Sequence, residues 1–527
     1  MSKVLIITGI LLLAGLAFPT KPLRAQKVVV KTVSGKVSGV ASDKTKTVSF
    51  KGIPFAAPPV GELRWRAPQP AKPWQGVRKG DRLSASCMQV TEKEHLPWTS
   101  EFMTQNELSE DCLYLNVWTP RPGTSAKLPV LVFIHGGGFG GGSGGIAIYD
   151  GEQLAATGVV VVTINYRVGV FGFLAHPDLT SESEHHSSGN YGLMDQIAAL
   201  RWVNENIGNF GGDPARVTIW GQSAGAFSVQ DLIASPLGAG LFSRAVANSG
   251  IGVAGLPLMP LADAEATGVK FAASRHAASI KELRAMPAAD LLPKTAFFSE
   301  ERWSPILDGW ILPATPDQLS EKGVDNDVPI MTGNMANDGL LFASTISRVA
   351  DYEQNAQKIY GSMTPEFLKL YPAKDVEEAR KMMELSTRDR ERASAYVWAC
   401  QRAKNHHSPV YTYFFDRAIP WPQHPEFGAF HTGEIPYFFR NLKLLDRPYE
   451  PADFKVLELA SSYLKNFAGS GDPNSVGLPQ WPAAADGAGL TIEIGSDTGA
   501  MPIADKDRLS FWVRFFNSKE AANTPVF

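Results

Sequence analysis

Two almost uninterrupted apolar runs constrain the fold of this chain more than any other feature. They occupy 130–134 (VLVFI) and 159–164 (VVVVTI). Strands of this composition suit positions that are buried on both faces, as in a parallel sheet covered by helices. Apolar residues then recur at helical spacing over 192–207. This alternation predicts an α/β fold with a large, mostly parallel central sheet flanked by helices.

Further short apolar runs extend the predicted series of strands. They lie at 217–220, 245–247, 328–331 and 410–415. A hairpin-rich entry is predicted over 27–49, and a charged helical layer with a solvated face over 363–403. Because no repeat or linker divides the chain, we expect residues 26–527 to form a single domain with helical elaborations around 340–405.

The composition is that of a folded chain with almost balanced charge. Hydrophobic residues make up 44% of the 527 positions, and 50 lysines and arginines face 53 acidic residues, for a net charge of −3. These values exclude a disordered chain. They also give no overall electrostatic case for binding nucleic acid or an anionic membrane.

The first 25 residues have the pattern of a secretory signal peptide. Lys3 precedes an apolar run over 4–18, and Ala25 is a small residue suited to cleavage, with cleavage after Ala17 as the alternative. A membrane span needs about 20 apolar residues, so this shorter run favours a cleaved signal over an anchor. The sequence therefore predicts a secreted or periplasmic protein with no stable membrane span after cleavage.

Three cysteines occur in the chain, at positions 87, 112 and 400. In an exported protein, Cys87 and Cys112 are able to form a disulfide, which leaves Cys400 unpaired. An odd cysteine is more often a buried thiol than a nucleophile, and nothing in the sequence near Cys400 indicates activation.

The pentapeptide at 221–225 (GQSAG) is the sharpest local signal of chemistry. It follows the predicted strand 217–220 and precedes a helical run over 226–233. Small residues on both sides let the backbone turn sharply and raise the Ser223 hydroxyl above the sheet edge, as in a nucleophile elbow. In this context the pattern predicts a catalytic serine, and the alternative is a glycine-lined turn with a capping serine.

A serine nucleophile needs donors that bind the developing oxyanion. The segment 133–139 (FIHGGGF) supplies such donors, because a buried strand ends in a glycine run with free backbone N–H groups. A flexible linker would not follow a buried strand directly, and no Gly-Lys-Ser/Thr follows to make a phosphate-binding loop. We therefore expect an oxyanion hole here.

The serine also needs a base, and His431 fits best because it follows the strand 410–415 in an aromatic loop. The pairs His185-His186 and His406-His407 lie in polar surroundings and are predicted to be surface pairs rather than metal ligands.

Asp338 is the leading candidate for the acid that orients this base. It follows the strand 328–331 and lies between Ser223 and His431, and the order serine, acid, histidine matches an α/β-hydrolase. All three residues follow strands, at the carboxyl edge where parallel sheets place their sites. Asp308 is the main rival, whereas the acidic residues at 325 and 327 precede the strand.

Together these residues resemble the type-B carboxylesterase family, which includes the cholinesterases. The likeness extends from about Val28 to Phe516 and depends on several ordered blocks besides the elbow. They are 109–118 (SEDCLYLNVW), 165–169 (NYRVG), 189–196 (GNYGLMDQ), 211–214 (GGDP), 471–474 (GDPN) and 481–482 (WP). The resemblance implies an α/β-hydrolase fold, a triad of Ser223, Asp338 and His431, and no metal or organic cofactor.

The resemblance also implies several supporting features. They are an oxyanion hole of the N–H groups of Gly137, Gly138 and Ala224, a disulfide between Cys87 and Cys112, a buried ion pair between Arg167 and Asp195, and a structural role for Glu110.

Three positions depart from the family's pattern. Asp338 stands where the family usually has Glu, so the acid is one methylene shorter. Gln222 replaces the Glu that many members carry before the serine, which removes a negative charge beside the acyl site. Phe102 stands where cholinesterases carry Trp, so recognition of a quaternary ammonium is not favoured.

The sequence thus predicts a secreted or periplasmic serine carboxylesterase that hydrolyses small-molecule esters through an acyl-enzyme on Ser223. A non-catalytic adhesion or binding protein of the same fold is the alternative from another class. A lipase is the alternative among enzymes.

Overall fold

The computed structural model describes residues 28–123, 125–295, 301–338 and 346–521. The predicted signal peptide, residues 1–25, lies outside the described residues. None of the described helices is both long enough and apolar enough to cross a membrane.

Seventeen strands occur in the described part of the chain. They are β1 (Val28–Thr32), β2 (Gly35–Ala41), β3 (Val48–Pro54), β4 (Val77–Lys79), β5 (Ser86–Cys87), β6 (Leu108–Ser109), β7 (Tyr114–Thr119), β8 (Leu128–Ile134), β9 (Val160–Ile164), β10 (Gly212–Gln222), β11 (Arg244–Asn248), β12 (Met259–Pro260), β13 (Ile306–Leu307), β14 (Ile330–Met335), β15 (Val410–Phe415), β16 (Leu490–Ile494) and β17 (Gly499–Pro502).

Thirteen of these strands form one sheet in the order β1-β2-β3-β7-β9-β8-β10-β11-β14-β15-β16-β17, with β4 beside β2. The seven strands from β9 to β16 in this order are parallel to one another. Most strands nearer the amino terminus pair antiparallel, as does β17 at the other end. The sheet therefore has a parallel centre and antiparallel margins.

Helices cover both faces of the parallel centre. They are α1 (Glu152–Ala155), α2 (Gly169–Phe173), α3 (Pro177–Glu182), α4 (Tyr191–Asn206), α5 (Ala224–Ala234), α6 (Leu261–Ser274), α7 (Ile280–Ala285), α8 (Pro316–Glu321), α9 (Val349–Tyr360), α10 (Thr364–Leu370), α11 (Val376–Arg402), α12 (Ile435–Phe438), α13 (Pro451–Ser470) and α14 (Lys506–Phe516).

Alternate residues of β8 enter two different hydrophobic cores. Val130, Val132 and Ile134 pack into a core shared with α4, α5 and α11. Leu131 and Phe133 pack into a second core with α12 and α13. All five side chains are fully buried, which explains why this run is apolar at every position. The predicted large, mostly parallel sheet flanked by helices is confirmed.

The charged segment predicted to be a solvated helical layer is only partly solvated. Its main helix, α11, is exposed at Glu377 and Lys381, which form an ion pair with each other. Arg402 at the end of the helix is buried, and so are four consecutive charged side chains, at Asp389, Arg390, Glu391 and Arg392. These four lie where α11 packs against β14 and β15.

His406 is also buried, which corrects the prediction of a surface pair. Its ring contacts the carboxylate of Asp325, and Arg402 contacts the same carboxylate. Asp325 lies before β14, at the end of the sheet away from the residues that follow that strand.

A disulfide and an ion pair hold the loops that precede β7, in agreement with what the family resemblance implies. A disulfide joins Cys87 to Cys112. Glu110 accepts two hydrogen bonds of 2.6 Å from the guanidinium of Arg64. A second buried ion pair, between Arg167 and Asp195, ties the segment after β9 to α4 through two bonds of 2.7 Å.

Candidate active site

Five neighbouring parallel strands, β8, β10, β11, β14 and β15, end at the same edge of the sheet. The segments that follow them carry, in this order, the glycine run, Ser223, Ser249, Asp338 and the loop with His431. Open α/β sheets bind their ligands at the carboxyl ends of their strands. Parallel topology thus gathers residues that are more than 200 positions apart.

Ser223 occupies a sharp turn between β10 and α5. Its φ of 56° and ψ of −124° are unusual for a residue with a side chain. Glycines make room for the turn: a Cβ at Gly221 would lie 2.0 Å from the carbonyl oxygen of Gly225, and one at Gly225 would lie 2.1 Å from that of Ile134. The Ser223 N–H donates to the carbonyl of Asn248 at 2.9 Å. This is the geometry of a nucleophile elbow.

The glycine loop after β8 packs directly on this turn. A Cβ at Gly136 would lie 2.7 Å from the carbonyl oxygen of Gln222, so a larger residue would separate the two segments. Within the described residues, the N–H groups of Gly137, Gly138 and Ala224 donate no hydrogen bond. These three N–H groups therefore have no acceptor within the described part of the chain.

His431 and Asp338 form a short hydrogen bond. The distance between His431 Nδ1 and Asp338 Oδ1 is 2.7 Å. The other carboxylate oxygen accepts hydrogen bonds from the Ser249 hydroxyl at 3.0 Å and from the Met335 N–H at 2.8 Å. Burial disfavours the imidazolium, but the charge and hydrogen bond of Asp338 outweigh it, so the pKa of His431 is raised. The pair is thus arranged to accept a proton on the other ring nitrogen.

That other nitrogen contacts Gln222. The side-chain nitrogen of Gln222 lies 3.1 Å from His431 Nε2. Because Nδ1 faces a carboxylate and carries the proton, Nε2 is an acceptor and the amide N–H donates to it. Within the described residues, no hydrogen bond joins the Ser223 hydroxyl to His431. Transfer of a proton from Ser223 therefore requires Gln222 to release Nε2.

Trp98 fixes the backbone of the histidine loop. Its indole N–H donates to the carbonyl oxygen of His431 at 3.0 Å, and its ring stands edge-on to the imidazole with centroids 6.4 Å apart. The indole is half-buried, so it also forms part of the surface around the histidine.

Two further buried carboxyl groups flank Asp338. Glu391 accepts a hydrogen bond of 2.7 Å from Asn334, and burial and the negative charge of Asp338 raise its pKa. Glu434 is fully buried, and neither of its carboxyl oxygens has a hydrogen-bond partner in the described part of the chain. Burial and the charge of Asp338 raise the pKa of Glu434 to about 8. Near neutral pH, Glu434 is therefore mainly protonated.

Asp308, the rival candidate for the acid, lies elsewhere. Its carboxylate accepts hydrogen bonds from the Ser187 hydroxyl at 2.8 Å and from the N–H groups of Trp310 and Leu312. These bonds close a buried turn, and none of them involves His431. Among the described residues, no group of three or more His, Cys, Asp or Glu is arranged to hold a metal ion.

Sequence reasoning missed four residues of this site: Trp98, Ser249, Glu391 and Glu434. Ser249 could have been predicted from the sequence, because it directly follows β11 at the same edge of the sheet. Glu434 lies only three positions after His431, but its lack of a partner depends on the surrounding fold. Nothing in the local sequence distinguishes Trp98 or Glu391 from ordinary surface residues.

Comparison with known proteins assigns the chain to a family. A model of the carboxylesterase family matches residues 26–512. A fumonisin B1 esterase of Sphingopyxis macrogoltabida is 36% identical over 501 residues, which cover 91% of this chain and 89% of that protein. A para-nitrobenzyl esterase of Bacillus subtilis (strain 168) is 34% identical, with 89% and 95% covered.

A mammalian relative extends the comparison. Liver carboxylesterase 1F of Rattus norvegicus is 32% identical to this chain, with 93% of this chain and 94% of the relative covered. The chain therefore belongs to the carboxylesterase family and is a carboxylic ester hydrolase of the α/β-hydrolase fold.

Proposed function

We propose that Ser223, His431 and Asp338 act as a catalytic triad that hydrolyses esters through an acyl-enzyme. His431 Nε2 accepts the hydroxyl proton of Ser223 while the serine oxygen attacks the ester carbonyl. The N–H groups of Gly137, Gly138 and Ala224 bind the oxyanion. The alcohol leaves with the proton from His431, and water then repeats the sequence on the acyl-serine. Asp338 holds the imidazole tautomer and stabilises its charged form.

The observation that carries this proposal is the 2.7 Å bond between His431 Nδ1 and Asp338 at the sheet edge that also bears the Ser223 turn. A serine hydroxyl is a weak nucleophile by itself, and a histidine held by a carboxylate is the base that activates it.

Ser223→Ala tests the nucleophile directly. We expect kcat for p-nitrophenyl acetate to fall by about 10⁶-fold, as when a triad nucleophile is removed. Ser249→Ala is a matched control, because it removes a hydroxyl from the adjacent strand end and leaves the nucleophile in place. A Ser223→Ala enzyme with the wild-type rate would refute the mechanism.

A fluorophosphonate probe separates the enzyme from a non-catalytic binding protein of the same fold. The probe should label wild-type protein and fail to label Ser223→Ala. A sharp rise in rate above the micellar concentration of a long-chain ester would instead indicate a lipase.

The substrate is proposed to be an uncharged or anionic ester rather than a choline ester. Gln222 and Phe102 stand where a carboxylate and an indole would support a quaternary ammonium. The names of two bacterial relatives supply test substrates: fumonisin B1 and p-nitrobenzyl esters. A panel of kcat/KM values over these esters, with a choline ester as the negative control, tests this assignment.

We also propose that residues 1–25 are a signal peptide and that the remainder is a single catalytic domain. The main sheet supports the second point. It includes strands from both halves of the chain, from β1 at Val28 to β17 at Pro502. Amino-terminal sequencing of the exported protein tests the first. A mature protein that begins at Met1 would contradict it.

A further inference from the structure

The near-neutral charge of the chain hides a strong segregation of charge. Residues 28–82 carry eleven lysines and arginines against three acidic residues, a formal charge of +8. Because the whole chain has a charge of −3, all other residues together carry −11. Four of the cations form ion pairs within the fold, namely Lys51, Arg64, Arg66 and Arg82. Most of the others are exposed.

Three exposed lysines lie on one face of the sheet margin formed by β1, β2 and β4. Lys31 on β1 is the register partner of Lys36 on β2, and Lys79 on β4 is the partner of Ser38, two positions further along β2. Partners in register point to the same side of a sheet, as do alternate residues of one strand. We call the face that bears Lys31, Lys36 and Lys79 the basic face.

The basic face is the solvent side of this sheet. The intervening residues Val30 and Val37 point the other way and are buried in the main core. Short apolar side chains accompany the lysines on the outside: Val29 is 48% exposed and Val77 is 49% exposed. The face is therefore cationic and also carries short apolar side chains.

The placement of Lys31 opposite Lys36 weakens the hairpin. Like charges at directly opposed cross-strand positions are destabilising, and an acidic residue at either position would be favourable. Within the described residues, neither lysine forms an ion pair, and neither does Lys79. One charged residue would be enough to keep the edge strand β1 from pairing with another chain. The fold itself thus gains nothing from the second and third lysines.

We infer that the basic face docks the protein onto an anionic lipid surface. Lysine ammonium groups attract anionic headgroups without requiring a fixed geometry, and each contributes about a fivefold increase in partitioning. Exposed valines suit the headgroup boundary. The register positions of this face contain no arginine or aromatic side chain, the groups that nucleic-acid sites use for base recognition and stacking. This inference is independent of the proposed catalytic mechanism.

Sedimentation with vesicles of phosphatidylcholine and about 30% phosphatidylglycerol measures the docking, with the whole protein at low ionic strength. We expect binding at about 50 mM NaCl and a fall of about tenfold or more at about 300 mM NaCl, because salt screens exposed charges. The variant K31E/K36E/K79E should lose about 100-fold or more in partitioning. Its kcat/KM for a soluble ester should equal that of the wild type, since none of the three residues belongs to the candidate active site.

The triple variant K404E/K443E/K455E is the matched control. It makes the same change in net charge at three exposed lysines on other elements. Its vesicle binding should stay within about threefold of the wild type, since a local face rather than total charge is responsible. An equal loss of binding in both triple variants would overturn the proposal.

Lys31→Glu separates docking from folding. It creates an opposite-charge pair with Lys36, so the melting temperature should equal or exceed that of the wild type. Vesicle partitioning should nevertheless fall about tenfold or more. The proposal is overturned if wild-type protein does not bind at low salt, or if Lys31→Glu binds as well as the wild type. Equal salt-sensitive binding to double-stranded DNA, lost in K31E/K36E/K79E, would assign the face to polyanions in general and overturn the lipid assignment.

Discussion

The parallel centre of the sheet and its amino-terminal margin are built from similar residues but carry different kinds of chemistry. β8 is buried on both faces and carries no polar side chain, so its polar groups lie in the segment that follows it. β1 and β2 have one buried face and one solvated face, so charge spreads along the strands themselves. The first arrangement concentrates reactive groups in one place, whereas the second forms a broad surface. Substitutions in the two regions should therefore differ in both size and kind.

The largest effect is expected at the edge of the parallel centre. Asp338→Asn should lower kcat by about 10⁴-fold, because the amide no longer holds the imidazole in the tautomer that accepts a proton on Nε2. Steady-state kinetics on p-nitrophenyl acetate measures this loss. Asp308→Asn is the control, since Asp308 closes a turn away from His431, and it should lose less than tenfold. The reverse ranking would move the acid to Asp308.

Glu434→Gln should change how stability depends on pH. The pKa of Glu434 is raised from 4.5 to about 8 by burial and by Asp338. The folded protein therefore keeps a proton that the unfolded chain loses, and stability falls as pH rises from about 4.5 to about 8. The linked loss is at most about 5 kcal/mol, and the neutral amide avoids it.

Urea unfolding at about pH 5 and about pH 9 measures this dependence. Glu434→Gln should be more stable than the wild type at the higher pH by about 2 to 5 kcal/mol. The exposed Glu353→Gln is a matched control and should show the wild-type dependence. Identical pH dependences for Glu434→Gln and the wild type would mean that Glu434 is ionised in the folded protein.

Matched valine truncations compare the two regions directly. Val132→Ala in β8 removes buried methyl groups from the core and should cost about 2 to 3 kcal/mol of unfolding free energy. Val29→Ala in β1, where the side chain is 48% exposed, should cost less than about 0.5 kcal/mol. Chemical denaturation of both variants measures the contrast. Similar costs would show that the margin is packed as tightly as the centre.

Within the candidate active site, the smallest effect is expected at Gln222. Its amide donates to His431 Nε2 and favours the neutral imidazole, whereas a carboxylate there would favour the imidazolium. Gln222→Glu should therefore move the acidic limb of the kcat/KM profile to higher pH by about one unit, or about 1.4 kcal/mol. Asp338 and Glu434 also face this imidazole and are present in both proteins.

Gln222→Ala serves as the control for the new charge. It removes the donor without adding a carboxylate, so its shift should be in the same direction and less than about half a unit. An unchanged acidic limb in Gln222→Glu would show that the amide does not contact His431 in the working enzyme.

Much of the fold could be predicted because strand periodicity and glycine patterns are local. The predicted run at 130–134 lies within β8, and the run at 410–415 coincides with β15. The predicted strand at 328–331 begins two residues later in the structure, because Pro329 has no N–H for the ladder. His431 and Asp338 could be placed near Ser223 because parallel strands share a carboxyl edge.

Contacts between distant segments could not be predicted in this way. The amide of Gln222 and His431 are 209 positions apart, and their contact depends on rotamers that the surrounding loops select. Glu434 has an ordinary sequence context, and only complete burial beside Asp338 raises its pKa. The burial of His406 likewise could not be predicted, because its ring contacts the carboxylate of Asp325, 81 positions earlier.

The sequence alone determined the class of this protein, since buried strand runs, the elbow and the glycine loop are encoded within a few adjacent residues. Tertiary structure decided which side chains share an environment, because hydrogen bonds, desolvation and electrostatic fields act through space. Charge shows the difference most clearly. The sum of −3 can be read from the sequence, whereas the alignment of Lys31, Lys36 and Lys79 on one face follows from strand register.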